Sequence, residues 1–127
     1  MLLRFAVENF MSFKDAVEFN MFPSSKSQRL IHHKKQCGHA EVLRMSAIYG
    51  ANGAGKSALL NAISLLVDKV KNGALPPSSA SANFKFRFDE EYANRPCSFA
   101  IEFFVNEKLY YYQLEFSDQT IISETLL

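Results

Sequence analysis

The eight residues from Gly50 to Ser57 read GANGAGKS and fit the pattern GxxxxGK(S/T) at every required position. Glycine at these positions permits backbone angles and a close approach that a Cβ would prevent. The successive N–H groups of the loop can then point inward around phosphate oxygens. The motif therefore predicts a phosphate-binding loop, and the predicted site residues are Gly50, Asn52, Gly53, Ala54, Gly55, Lys56, Ser57 and Ala58.

The segments on either side of this loop have the periodicities that the motif requires. Met45 to Tyr49 is a short apolar run that predicts a strand buried on both faces. Residues 56–71 follow a helical period, and Asn72-Gly73 is a natural helix stop. The apolar stripe of this helix is predicted to consist of Leu59, Leu60, Ile63, Leu66, Val67 and Val70.

The start of this helix faces the same anion as the loop, because unpaired N–H groups and the positive end of the helix dipole lie there. Lys56 is expected to bridge the β- and γ-phosphates as a point charge, and the Ser57 hydroxyl is expected to bind Mg²⁺. The predicted cofactors are therefore ATP and Mg²⁺.

The remaining segments alternate as strands do. Leu2 to Phe10 and Ala16 to Met21 predict an antiparallel hairpin, and residues 84–127 predict an antiparallel meander with turns at Asn106-Glu107 and Ser117-Asp118-Gln119. Residues 23–44 are predicted to form largely an exposed loop before the Met45 strand, because Pro23 to His39 has almost no apolar periodicity. Leu75-Pro76-Pro77 and the serines after it predict a linker.

Three other groups of residues resemble functional sites but have simpler explanations. Phe84 to Glu91 reads FKFRFDEE, like a Walker B strand, yet Lys85 and Arg87 alternate as in a one-sided strand, so Asp89 and Glu90 are interpreted as a solvated turn. The zinc-type ligands His32, His33, Cys37 and His39 match no structural zinc spacing and are interpreted as loop residues. The run Tyr110 to Tyr112 could stack on bases, but an aromatic-rich packed strand explains it better.

Composition limits the class of protein. Hydrophobic residues make up 48% of the 127 residues and charged residues 21%, which is typical of one globular domain. The net charge of +1 makes no overall electrostatic case for nucleic acid or for a membrane surface. The two distant cysteines, the absence of a signal sequence and the absence of a long apolar run predict a cytoplasmic protein with no membrane association.

Two stretches together resemble a known group. Leu2 to Asp15 reads LLRFAVENFMSFKD and Ile48 to Ser57 reads IYGANGAGKS, as in bacterial AAA-type ATP-binding proteins related to the RecF, SMC and OLD-like ATPases of the ABC type. The resemblance implies an α/β fold, the ABC-type N-terminal lobe of a P-loop NTPase. In such a lobe a mixed sheet surrounds one P-loop helix, beside an antiparallel β-subdomain. It also implies an ATPase head that pairs with a second head and couples nucleotide state to DNA or to an effector such as a nuclease, in DNA repair or anti-phage defence.

The chain departs from these relatives in two respects. The position after Asn9-Phe10 is usually basic and near the nucleotide in them, whereas this chain has Met11, so that contact is not carried over. No Ser-Gly-Gly-type signature, Walker B acid pair or switch histidine is present, so we expect residues 1–127 to be an N-terminal lobe without its C-terminal lobe and without catalytic residues. A non-catalytic assembly module and a small P-loop kinase are the alternatives, and the hairpin before Met45 argues against the kinase.

Overall fold

A computed structural model describes residues 1–25, 31–73, 84–118 and 120–127. The described elements are seven strands, two α-helices and a 3₁₀ turn at Ile31–His33. In chain order they are β1 (Leu2–Glu8), β2 (Val17–Asn20), β3 (Lys34–Cys37), β4 (Ala40–Leu43), α1 (Lys56–Asn72), α2 (Glu90–Ala93), β5 (Cys97–Val105), β6 (Lys108–Ser117) and β7 (Thr120–Leu126).

Five strands form one antiparallel sheet in the order β2-β1-β5-β6-β7. The β1–β2 hairpin, the β5–β6–β7 meander and the turn at Asn106-Glu107 are confirmed. Alternation places every second side chain of β1 on the buried face, where Phe5 pairs with Ile101 and Val7 with Phe99. The predicted mixed sheet is wrong for the described residues, because every pairing in this sheet is antiparallel.

Helix α1 covers the apolar face of this sheet. Leu59, Ala62 and Leu66 are buried in one cluster with side chains of β1, β5 and β6. The predicted apolar stripe is only partly correct, because Leu60, Val67 and Val70 are 61%, 41% and 64% exposed. The helix ends at Asn72 as predicted, where the Gly73 N–H donates to the Lys69 carbonyl at 2.8 Å.

A second, smaller core lies under the β3–β4 hairpin. Leu3, Met21, Cys37 and Val42 are buried together there. The prediction that residues 23–44 form an exposed loop is therefore wrong for residues 34–43, which pair as strands. The polar composition of this segment conceals the hairpin, since Cys37 and Val42 are the only fully buried residues of β3 and β4.

Two further strand predictions are wrong. Residues 45–49 are described with no strand and are exposed, including Tyr49 at 93%. An apolar run becomes a buried strand only when neighbouring strands pair with it, and none does among the described residues. Residues 84–88 also form no strand, and they hold aromatic anchors instead: Phe84 stacks on Phe10, and Phe86 lies edge-on to Tyr92.

Some predictions lie outside the described residues. The linker at Leu75-Pro76-Pro77 and part of the segment after Pro23 belong to the ranges 74–83 and 26–30. Across the described part of the chain, no helix combines the length and the apolar character needed to span a membrane.

Candidate functional site

The glycine-rich loop leads directly into α1. Gly55 is the N-cap of the helix in a left-handed conformation (φ 88°), and Gly53 is also left-handed (φ 81°). These angles are unfavourable for residues with a Cβ, which explains glycine at both positions. The N-cap has no side-chain hydrogen bond and the first turn carries no acidic residue, so the first N–H groups of α1 have no side-chain anion of their own.

The Lys56 ammonium turns back onto the loop from which it starts. Its Nζ donates to the carbonyl of Gly50 at 2.8 Å and to that of Ala51 at 2.7 Å. Both acceptors are neutral, whereas a phosphate oxygen is a charged acceptor and forms a stronger hydrogen bond with an ammonium group. The lysine is therefore held at the loop and can exchange carbonyl oxygens for phosphate oxygens.

A cleft of about 240 Å³ lies at the start of α1. It brings together six of the eight predicted site residues. Met11 and Ser12, from the turn between β1 and β2, form a second wall. The lining residues are Met11, Ser12, Asn52, Gly53, Gly55, Lys56, Ser57 and Ala58. Lys56 is the single charged residue in this lining, so the cleft is suited to an anion.

Two predicted residues do not line this cleft. Gly50 contributes its carbonyl to Lys56, while Ala54 lines a neighbouring groove with Phe13 and Tyr49. Conversely, Ser12 lines the cleft although the sequence did not predict it. Met11 also lines the cleft, although no nucleotide contact was expected from the sequence at that position. Some forty positions separate this wall from the loop, and no periodicity or spacing in the sequence joins them.

Asp89 of the Walker B-like stretch has a structural role. Asp89 is the N-cap of α2, where its Oδ1 accepts from the Glu91 N–H at 3.0 Å, and its Oδ2 pairs with the Lys14 Nζ at 2.9 Å. The hydrogen bond from Lys14, followed by that from Glu91, lowers the pKa of Asp89. Neither Asp89 nor Glu90 lines the cleft, and the two residues begin the short helix α2 where a solvated turn was predicted.

The two remaining candidate clusters are the zinc-type ligands of residues 32–39 and the tyrosine run. Cys37 is buried in the second core while His32, His33 and His39 are exposed, and the described residues include no group of three or more metal-ligating side chains that could hold an ion. Tyr110 to Tyr112 lie in β6, where Tyr110 stacks on Phe103 with 5.4 Å between ring centroids. The interpretation of this run as a packed aromatic strand is confirmed.

Residues 45–127 match the family model described as "AAA domain, putative AbiEii toxin, Type IV TA system". This match covers about two-thirds of the chain and includes the whole glycine-rich loop and α1. The chain belongs to this AAA family. No curated protein matches it.

As a member of this AAA family, the chain is a nucleotide-binding domain of the P-loop ATPase class. The family match begins at Met45, so it does not include the β1–β2 hairpin. In this AAA domain the hairpin nevertheless contributes Met11 and Ser12 to the cleft.

Proposed function

We propose that this AAA domain binds Mg-ATP in the cleft at the start of α1. The observation that carries the proposal is the convergence of Lys56, Ser57 and two glycines of the loop, Gly53 and Gly55, on one cleft that contains a single charge. Lys56 would meet the β- and γ-phosphates, and the N–H groups at the start of α1 would add their favourable dipole. The proposed site is Gly50, Asn52, Gly53, Ala54, Gly55, Lys56, Ser57 and Ala58.

The residues present fit a magnesium ion that is held mainly by phosphate and water. Mg²⁺ commonly keeps several waters and takes one or two protein ligands at such sites. Ser57 lines the cleft and would supply its hydroxyl as that ligand. The ion would neutralise phosphate charge, and the chain's own part is to orient the phosphates with Lys56 and Ser57.

The test is a binding titration with a fluorescent ATP analogue, because the chain has no tryptophan to report binding. Lys56→Ala should weaken binding by about 10- to 150-fold, the effect of losing a charge-assisted phosphate contact. Lys71→Ala is the matched control, since it removes the same charge from an exposed position on the same helix. Equal affinity of the wild type and Lys56→Ala would refute the proposal.

We further propose that this domain is the N-terminal lobe of an ABC-type head of the RecF, SMC and OLD-like group, and that it acts in the cytoplasm. Residues 1–127 alone should turn over ATP negligibly, because the cleft lining has no carboxylate to activate water and no second cation beside Lys56 to stabilise the transition-state charge. Sustained turnover that is lost in Lys56→Ala would contradict this. The alternative, a non-catalytic assembly module, predicts no turnover in any longer protein that contains the lobe.

In the whole protein, two heads would enclose ATP and act on DNA or on an effector such as a nuclease, in DNA repair or anti-phage defence. The family description names a toxin of a toxin–antitoxin system, which favours defence. ATP would stabilise the paired state because its γ-phosphate meets a second set of helix N–H groups there. Light scattering with ATP and Mg²⁺, with and without DNA, tests this. If the assembly state of the full-length protein is the same with and without nucleotide, ATP-driven pairing of heads is excluded.

A further inference from the structure

The buried amide of Asn9 is directed entirely at one distant segment. Its side chain is 1% exposed, and its two Nδ2 hydrogens are shared among the carbonyls of Tyr92, Arg95 and Pro96 at 2.8, 3.0 and 3.2 Å. Its Oδ1 accepts from the Phe86 N–H at 3.2 Å. The amide therefore satisfies both its donors and its acceptor on residues 86–96.

The backbone of Asn9 closes the turn that follows β1. Its N–H donates to the Lys14 carbonyl at 3.1 Å, and its carbonyl accepts from the Cys97 thiol at 3.0 Å. Within the turn, the Phe10 N–H donates to the Phe13 carbonyl at 2.9 Å. The turn from residue 10 to residue 14 is thus fixed at its base by Asn9.

The far side of the same turn contacts the phosphate-binding loop. Phe13 packs against Gly55, and Met11 and Ser12 line the cleft beside Lys56. The Met11 sulfur also lies 3.6 Å from Nδ2 of Asn61, one turn into α1. The turn is therefore positioned between the Asn9 amide on one side and the nucleotide cleft on the other.

Three more contacts join this turn and its exit to the segment that Asn9 holds. Lys14 pairs with Asp89 at 2.9 Å and lies over the Tyr92 ring, 5.1 Å from its centroid. The Tyr92 hydroxyl donates to Oδ1 of Asp15 at 2.8 Å. The segment from Phe86 to Cys97 thus braces the turn at its base and along its exit.

We propose that Asn9 is a positioning residue for nucleotide binding, because it fixes the turn that places Met11 and Ser12 as the second wall of the cleft. Asn9 does not itself line the cleft and acts only through that turn. Asparagine fits because it tolerates the left-handed φ of 52° and offers donors and an acceptor together. This inference rests on the proposed nucleotide-binding function and extends the site beyond the glycine-rich loop.

The test compares nucleotide affinities of variants of the 127-residue chain. Asn9→Gly removes the amide and still accepts the backbone angle. It should weaken binding of a fluorescent ATP analogue with Mg²⁺ by at least about fivefold. Val42→Ala is the control, because it destabilises the second core without touching the turn, and its affinity should stay within about twofold of the wild type.

A double-mutant cycle separates positioning from general damage. The affinity loss caused by Asn9→Gly should fall below about twofold when the wall has already been removed by combining Met11→Ala with Ser12→Ala. A loss of the same factor with and without the wall would overturn the proposal. So would wild-type affinity in Asn9→Gly, or equal losses in Asn9→Gly and in a Val42→Ala protein of matched stability.

A milder variant covers the case in which Asn9→Gly does not fold. Tyr92→Phe combined with Asp89→Asn releases Asp15 and Lys14 from their partners, yet it keeps Asn9 and the N-cap acceptor of α2. Affinity should fall by about two- to fivefold, and unchanged affinity would overturn the proposal. Failure of the wild type to bind nucleotide rejects the proposed function, whereas binding that tolerates these changes rejects only the role of Asn9.

Discussion

The Phe13 ring lies 3.1 Å from the place that a Cβ on Gly55 would occupy. The β1–β2 turn therefore packs closely against the N-cap of α1. Position 55 requires glycine both for its left-handed φ of 88° and because a Cβ would crowd the Phe13 ring. By contrast, Gly53 has a similar φ of 81° and nothing within 4 Å of its Cβ position. The two glycines therefore separate the effect of backbone angle from the effect of packing.

Gly55→Ala should lower the free energy of unfolding by more than Gly53→Ala does. Both substitutions carry the cost of a left-handed residue, about 1–2 kcal/mol. Only the alanine at 55 must also displace an aromatic ring, which adds roughly 1 kcal/mol or more. Urea denaturation measures both values, and Phe13→Leu should reduce the difference. Equal destabilisation by the two alanines would show that the ring contact has no effect.

Adding a positive charge at Met11 should strengthen nucleotide binding. Met11 lines the cleft opposite a single lysine, and Met11→Lys places a second cation beside the phosphates. An attraction of about 1 kcal/mol corresponds to roughly fivefold tighter binding. Gln36→Lys adds the same charge on the exposed β3 strand and is the control. Titrations at two salt concentrations should show a steeper salt dependence for Met11→Lys alone.

The turn between β5 and β6 should be improved by one substitution. Asn106 and Glu107 both have positive φ, 48° and 62°, in a two-residue connection between the paired residues Val105 and Lys108. Turns of this kind favour Asn-Gly. Glu107→Gly should therefore raise the free energy of unfolding by about 0.5–1 kcal/mol, measured by urea denaturation. Glu107→Ala removes the same charge but keeps a Cβ, and an equal gain there would assign the effect to charge.

Stability should fall at alkaline pH through Cys97. Burial raises the pKa of the Cys97 thiol from 9.0 to about 12. Because the folded protein holds this proton more tightly than the unfolded chain does, the thiol contributes its full share to the free energy of unfolding below about pH 9. That contribution is lost as the pH rises from about 9 towards 12. The free energy of unfolding should decline by up to about 1.4 kcal/mol per pH unit from this group. Cys97→Ser, which can still donate to Asn9, should show a shallower decline, and identical slopes would contradict the assignment.

The elements that sequence predicts well are those defined by neighbouring residues. Alternation in β1, β2 and β6, the helical period after Lys56 and the stops at Gly73 and Asn106-Glu107 all depend on short-range chemistry. Six of the eight predicted site residues line the candidate cleft, since the motif occupies consecutive positions.

The features that were missed depend on long-range partners. The alternating Phe84, Phe86 and Phe88 look like a strand. Instead, Phe84 stacks on Phe10, Phe86 packs edge-on to Tyr92, and Phe88 is exposed beside Phe86. Asn9 bonds to backbone carbonyls, which carry no residue-specific signal in a sequence. The same is true of the Met11–Ser12 wall, whose position is set by the turn that Asn9 holds.

The distance in sequence between Asn9 and its carbonyl partners also sets an order of events during synthesis. These hydrogen bonds join residues that are 83 to 87 positions apart. At about 5–20 residues per second, the ribosome needs roughly 4–17 s to translate that interval. The glycine-rich loop is synthesised well before the interval ends. The segment from Phe86 to Cys97, which holds the turn with Met11 and Ser12, is synthesised only at its end. A nascent chain halted before Arg95 would therefore carry the complete phosphate-binding motif and still hold nucleotide poorly.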